Sequence, residues 1–429
     1  MARDHERTKS RPDGAPLDVA AVRTQFPALE VSDNGVPRVH LDNPAGTQVP
    51  QRVIERMTDY LARTNANRGG LFSTSRQSDA VIGAARAAVA DFFGAGSAEE
   101  IVFGANMTSL AYLIARTLAP RIGPGDEVLV TRMDHDGNVS PWKQMAESRG
   151  AALTWLDFDP NTYRYDYPCL ERVIGPRTRF AAVNYASNIT GTINDVGEIA
   201  RRVRAAGGLT FVDAVQFAPH GDIDVGALGC DFLAASAYKF YGPHAGVLWG
   251  RRELLEDLRP PKLRASADAV PERYEIGCQS HEAIAGILGA IEYYAELGAE
   301  GAARGSSTPD KIRLAKGRMR AHEEALAGRL IAGLQSLRGV RIHGLTGANE
   351  MSERVSTVSV SVPGRAPQTL AKALGARNIF VWSGHNYALE LIDRLGLAEA
   401  GGVLRFGPVH YNTFAEIDLA LGALEDALK

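Results

Sequence analysis

Short apolar runs alternate with amphipathic segments from about residue 85 to 250, and this alternation predicts the architecture. EEIVFG (99–104), DEVLVT (126–131), RFAAVNY (179–185), LTFVDA (209–214) and CDFLAAS (230–236) each have the length and apolar character of a buried strand. Between them, SLAYLIARTLA (109–119) and VGEIARRVRAAG (196–207) carry the apolar spacing of helices, the second closed by a glycine stop. Strand–helix alternation without an internal repeat predicts an α/β fold: a mostly parallel sheet with helices on both faces. Ligands of such sheets bind beyond the carboxyl ends of the strands, so the polar residues there come under scrutiny.

The pattern changes after LGAIEYYAELG (288–298). A polar stretch, AEGAARGSSTPDK (299–311), reads as a connection. A long helix over 313–337 follows, then RVSTVSVSVPG (354–364), whose strict alternation predicts a strand with one buried and one exposed face. These segments predict a smaller α+β domain over 310–429 beside a large domain over 51–309, with residues 1–50 packing on the small one. The opening MARDHERTKSRPDGAP mixes charges without an apolar core and is expected to be a disordered tail rather than a signal peptide.

Composition narrows the function. A chain of 429 residues can bury a large core in two domains. Its formal net charge of -3 offers no basic footprint, and no apolar run approaches membrane-spanning length, so neither a nucleic acid nor a membrane is an expected partner. The three cysteines (Cys169, Cys230, Cys278) form no CxxC or Cys/His cluster; no disulfide framework or structural zinc is expected, and a cytoplasmic location is. No P-loop or GxGxxG fingerprint is present.

Two strand ends carry candidate chemistry. FVDAVQFAPH (211–220) places Asp213 at the end of one apolar run, and Ala235-Ser236-Ala237-Tyr238-Lys239-Phe240-Tyr241-Gly242-Pro243 places Lys239 at the end of the next. Alone, such an Asp caps a turn and such a lysine snorkels to water. Together they are the pair that pyridoxal 5′-phosphate (PLP) requires: an amine to bond its aldehyde and a carboxylate to keep its ring nitrogen protonated. Read as metal ligands, His135 between two aspartates and His220 near Asp222 and Asp224 each lack a third converging ligand, and no metal is expected.

With these segments the chain resembles the cysteine desulfurase and selenocysteine lyase branch of the class V aminotransferases, from LDNPAGTQVP (41–50) to LRFGPVHYNT (404–413). The resemblance implies the fold type I PLP architecture, a homodimer with active sites at the interface, and a small amino-acid substrate. It implies Lys239 as the Schiff-base lysine, Asp213 as the partner of the pyridine nitrogen, and His135, in MDHDGNVSPW, as the ring stacked on the cofactor. Gln216 and Asn188 (in YASNITGT) would flank the phenolic oxygen. Ser236, Asn106 and Met107 would hold the phosphate, the last two at a helix start in FGANMTS. Arg405 would clamp the substrate carboxylate. Arg68, in Asn67-Arg68-Gly69, and the loop of Cys278 would reach a partner's site.

Departures from the family pattern bear on the reaction. In VWSGHNYALELI (381–392), Tyr387 stands where persulfide-relay desulfurases carry their cysteine, and His385, Asn386 and Tyr387 would shape the substrate pocket. Tyr238 replaces a histidine before the lysine and keeps one hydrogen bond for phosphate. Cys278, in YEIGCQSHE, replaces a threonine with a weaker donor. The expected activity is therefore β-elimination by a C–S lyase acting on cysteine or an S-substituted cysteine, without persulfide relay. Alternatives are oxygen-using decarboxylation and deamination of an S-conjugated cysteine, as in relatives serving lincosamide antibiotic biosynthesis, and selenocysteine lyase or epimerase activity. A retired PLP-fold scaffold is the non-enzymatic alternative; retention of Lys239, Asp213, His135 and Arg405 together argues against it.

Overall fold

A computed structural model describes residues 16–429; residues 1–15, where the tail was expected, lie outside the described residues. Seven strands form the main sheet: β1 (Ile101–Gly104), β2 (Glu127–Thr131), β3 (Ala152–Leu156), β4 (Thr178–Asn184), β5 (Leu209–Asp213), β6 (Phe232–Ser236) and β7 (Gly246–Gly250). Their spatial order is β1-β7-β6-β5-β4-β2-β3. All five apolar runs read from the sequence are strands of this sheet. Alternate side chains of each strand enter two separate apolar layers: Phe180, Phe211 and Phe232 on one face, Ala181, Val212 and Leu233 on the other. A strand buried on both faces has no polar alternation, which is why these segments read as unbroken apolar runs.

The sheet is mixed. β7 runs antiparallel to β6 and to β1, while the remaining pairings are parallel. Its sequence, GVLWG, begins and ends in glycine and gave no strand signal. Gly246 is required by a close approach: a Cβ there would lie 2.5 Å from the backbone of Asn106, where the helix Met107–Leu118 begins.

A second sheet contains β8 (Arg341–His343), β9 (Val358–Ser361), β10 (Trp382–Gly384) and β11 (Val403–Phe406), antiparallel in the order β8-β9-β11-β10. Val358, Val360, Leu404 and Phe406 bury its apolar face with Leu330 and Leu334 of the long helix Thr308–Ser336 and Ile417 of the C-terminal helix Phe414–Leu428. The expectation for its other face requires correction. Ser359, a polar position of the alternating run, is fully buried, and its hydroxyl donates to Ile189 O at 2.6 Å. Alternation reports which positions are apolar, not what covers the polar ones; here the main sheet's loops cover them. The strand is also shorter than the 354–364 run, because Arg354 turns its guanidinium into the carbonyl oxygens of Leu345, Val355 and Thr357.

The segment 39–47 lies between the two sheets. Val39–His40 pairs in parallel with Ile379–Phe380. Asn43 Nδ2 donates to Gly407 O at 2.6 Å and to His40 O at 2.9 Å, and the Tyr411 hydroxyl donates to Asn43 Oδ1. A Cβ on Gly407 would fall 2.0 Å from the Pro44 ring, so glycine alone permits this contact. Among the described residues, no helix is long and apolar enough to cross a membrane.

Candidate active site

The carboxyl ends of β5 and β6, the start of helix Met107–Leu118 and the polar face of the second sheet enclose a cavity of about 740 Å³. Register explains how the second sheet contributes: Ser359 pairs with Arg405, and Arg405 with Trp382, so three neighbouring strands direct polar or amphipathic side chains to one face.

Asp213 ends β5 in this cavity, with its Oδ1 accepting the Val215 N–H at 2.8 Å. Burial raises its pKa to about 6 against the opposing pull of that N–H and of Lys239. Lys239 closes the turn Ala237–Lys239 after β6. Burial, reinforced by the Arg405 charge, lowers its amine to about 7, although Asp213 acts in the other direction. Such an amine is largely neutral, hence nucleophilic, at mildly alkaline pH. The Lys239 ammonium and the Gln216 amide (2.8 Å) both donate to the carbonyl oxygen of Pro44, which the 39–47 clamp holds in place.

At the opposite wall Asn106 caps its helix: its side chain accepts the Ser109 N–H at 2.8 Å. The Met107 N–H donates to Ser236 Oγ at 2.9 Å, and the Ser236 hydroxyl also bonds the Tyr238 phenol. Tyr238 lines the same wall and stacks on His244, with centroids 4.7 Å apart and planes 12° apart.

His135 follows β2 at the head of the turn Asp136–Asn138, its Nδ1 accepting the Gly137 N–H at 2.9 Å. Burial, then the Lys239 and Arg405 charges, lower its pKa to about 4, so the imidazole is neutral and presents an uncharged face. Below it Asp134 is buried, accepting from Thr131 and from Asn138 Nδ2 (2.7 Å); burial raises its carboxyl well above the usual range.

Arg405 is buried on β11. Nη1 donates to Asn188 O at 2.9 Å, and burial pulls its pKa to about 9 despite the Asp42 carboxylate. Asn188 in turn donates to Asn386 O at 2.8 Å. Asn386 and Tyr387 both adopt left-handed backbone, φ 48° and 58°, bending the loop over the cavity. Tyr387 is 63% exposed, and its ring lies 5.2 Å from that of His135.

Three expected residues are not brought to the cavity within one chain. His385 serves the loop instead, accepting the Tyr387 N–H at 2.9 Å. Arg68 pairs with Asp79 (3.1 Å) and Glu272 (3.4 Å), and Cys278 is exposed just ahead of the helix His281–Ala299. His220, weighed as a metal ligand, is committed to Glu323 at 2.7 Å.

The aminotransferase class V family model matches residues 39–420. The chain belongs to the class V aminotransferases. It is 35% identical to the aminotransferase-like protein FGM3 of Gibberella zeae over 96% of this chain and 99% of that one. It is 33% identical to a probable cysteine desulfurase of Streptomyces coelicolor, over 95% and 97%. Among solved structures, the apo cysteine desulfurase of Thermococcus onnurineus superposes with a TM-score of 0.83 at 29% identity, covering 96% of this chain and 98% of that one. The cysteine desulfurase CsdA of Escherichia coli gives 0.82 at 26% identity, over 96% and 99%. The fold is that of fold type I PLP enzymes, and PLP is the cofactor of this family.

The residues of this class V aminotransferase fit the cofactor and a carboxylate-bearing substrate. Among the described residues, Asn188 Oδ1, Asn386 Oδ1 and Arg405 Nε are buried without a hydrogen-bond partner, a costly state that polar ligand atoms would relieve. The Ser236 and Tyr238 hydroxyls and the helix start suit a phosphate. Sequence reading missed Pro44 as the shared acceptor, because a backbone carbonyl leaves no side-chain signal. It also passed over Trp382, Tyr112 and Asp136, which line the cavity.

Proposed function

We propose that this protein is a PLP-dependent C–S lyase that eliminates a thiolate from cysteine or an S-substituted cysteine without persulfide relay. The observation that carries the reading is the composition of the cavity: Tyr387 overhangs it, and no cysteine of the chain lines it. Cys230 is buried and its thiol pushed up to about 12, Cys169 lies on a turn against Asp166, and Cys278 is exposed outside the cavity. A phenol cannot accept sulfur as a persulfide, so the leaving group must depart unaided. A thiolate bearing carbon substituents does this well.

PLP supplies the electron sink for the carbanion formed at the substrate Cα. Arg405 binds the substrate carboxylate through its fork. Lys239 would hold the cofactor through its amine and, once free and neutral, would take the substrate's Cα proton. Asp213 would keep the cofactor's ring nitrogen protonated, and neutral His135 would lie against its ring. Ser236, Tyr238 and the helix start at Asn106 and Met107 would hold the phosphate; Gln216 and Asn188 would flank the phenolic oxygen. The thiolate leaves with the β-carbon bond's electron pair, and the remaining fragment hydrolyses to pyruvate and ammonia. A homodimer would bring Arg68 and the Cys278 loop of one copy toward the site of the other.

Mass spectrometry of products from a panel of S-substituted cysteines, with and without oxygen, tests this reading. Free thiol and pyruvate in both atmospheres support it. Carbon dioxide and an aldehyde formed only with oxygen would replace it with oxidative decarboxylation. Purified protein without visible cofactor absorbance would favour a scaffold.

A further inference from the structure

Asp136 is a cavity carboxylate that the proposed reaction leaves without a task. Its side chain accepts the Ser140 hydroxyl at 2.9 Å on each oxygen, and among the described residues no basic group pairs with it. Each carboxylate oxygen keeps a lone pair for a further donor. The Asp136 N–H donates to Tyr387 O at 2.7 Å, so the carboxylate and the overhanging phenol belong to one rim. Trp382 completes that rim from β10, directly across the strand register from Arg405, and is 50% exposed. Tyr112 stands on the same lining, its hydroxyl accepting from Gln144 at 3.0 Å.

A carboxylate among exposed aromatic faces attracts cations twice, through its charge and through the ring quadrupoles. It repels anions. Arg405 lies beside the rim and fixes the α-carboxylate end of an amino acid, which leaves the rim to read the far end. The cavity volume falls in the range of roughly 300–1,000 Å³ that holds drug-sized ligands, so there is space for a side chain longer than that of cysteine.

We infer that Asp136, with Trp382 and Tyr387, selects an amino acid whose side chain ends in a cation. On the C–S lyase reading, on which this rests for the reaction, the sulfur substituent carries an amine or guanidine. Asp136→Asn removes the charge while leaving an oxygen to accept from Ser140, so it separates selection from the hydrogen bond to Ser140.

The test titrates holoenzyme with S-(2-aminoethyl)-L-cysteine, S-propyl-L-cysteine and S-carboxymethyl-L-cysteine, following the visible cofactor absorbance for affinity and thiol release for turnover. L-Lysine and L-norleucine form a matched pair without sulfur. The aminoethyl conjugate should bind at least about tenfold more tightly than the propyl one, and the carboxymethyl one most weakly. In Asp136→Asn the first ratio should fall below about threefold, and Asp136→Glu should restore part of it. Equal or reversed affinities in the unaltered protein, or a ratio unchanged in Asp136→Asn, would overturn the inference. Lysine against norleucine reports the cation preference even where no conjugate releases thiol, so failure of the lyase reading is seen separately.

Discussion

The floor and the rim of the cavity are built differently. On the floor, Asp213 and Ser236 at strand ends, Asn188 and Arg405 are buried and hydrogen-bonded to backbone. At the rim, Tyr387 and Trp382 are at least half exposed, and Tyr387 sits on a loop of left-handed residues. On the proposed function, Asp213, Ser236 and Asn188 of the floor serve the cofactor and Arg405 the substrate's carboxylate, whatever bond is broken. The rim carries groups that serve only a particular side chain. On the proposed function it is at the rim that the chain differs from persulfide-relay desulfurases, with Tyr387 where the resemblance would place their cysteine. Family membership rests on the match over residues 39–420, and what distinguishes the proposed reaction is to be sought at the rim.

The sharpest way to break this division is at its deepest point. Lys239→Ala should abolish turnover, by roughly 10³-fold or more, because it removes both the cofactor's anchor and the proton acceptor. Far-UV circular dichroism and the melting transition should remain, since this partly buried lysine adds little to the core. Borohydride reduction that still fixed pyridoxyl to the variant would reassign the anchor.

Arg405→Ala should come next, with kcat/KM falling by roughly 2–4 kcal/mol of transition-state stabilisation, the range for losing one partner of a buried charge pair. The loss should be shared by substrates with any sulfur substituent, because the floor does not read it. A loss confined to one conjugate would contradict the comparison.

A smaller effect follows from the lowered amine. In the apoprotein Lys239 titrates near 7, well under the ordinary lysine value, and only the neutral amine attacks an aldehyde. The rate of PLP capture should climb about tenfold per pH unit below 7 and level off above it. A rate still climbing steeply at pH 9 would mean that burial does not depress this amine. The smallest effect is expected at Cys278→Thr, where a stronger donor should leave cofactor affinity unchanged or raise it about twofold. Equilibrium dialysis of PLP against the variant measures this.

The same division explains what was legible in the sequence. The floor was readable because strand ends concentrate unlike signals, an apolar run followed at once by Asp213 or Lys239. The strands themselves were readable because both faces are apolar. The reversed β7 escaped because its glycines serve packing against Asn106 rather than strand propensity. The burial of Ser359 escaped because its cover comes from the loop around Ile189, far away in the chain. Pro44 escaped because its carbonyl acts, and position along the chain says nothing about where a carbonyl points. The rim was legible only as a departure: Tyr387 marked what the loop cannot do, while Asp136 and Trp382 needed the three-dimensional structure to place them together.

The central claim is that sulfur leaves this site as a thiolate and never as a protein persulfide. Its most direct measurement follows holoenzyme incubated with ³⁵S-labelled cysteine and, separately, with a labelled S-conjugate, scoring label on the protein against label released as small thiol. The account predicts label released from the conjugate together with pyruvate, slow reaction of free cysteine, and none retained on the chain. Label on Cys169, Cys230 or Cys278, accumulating at the rate at which alanine appears from cysteine, would contradict it.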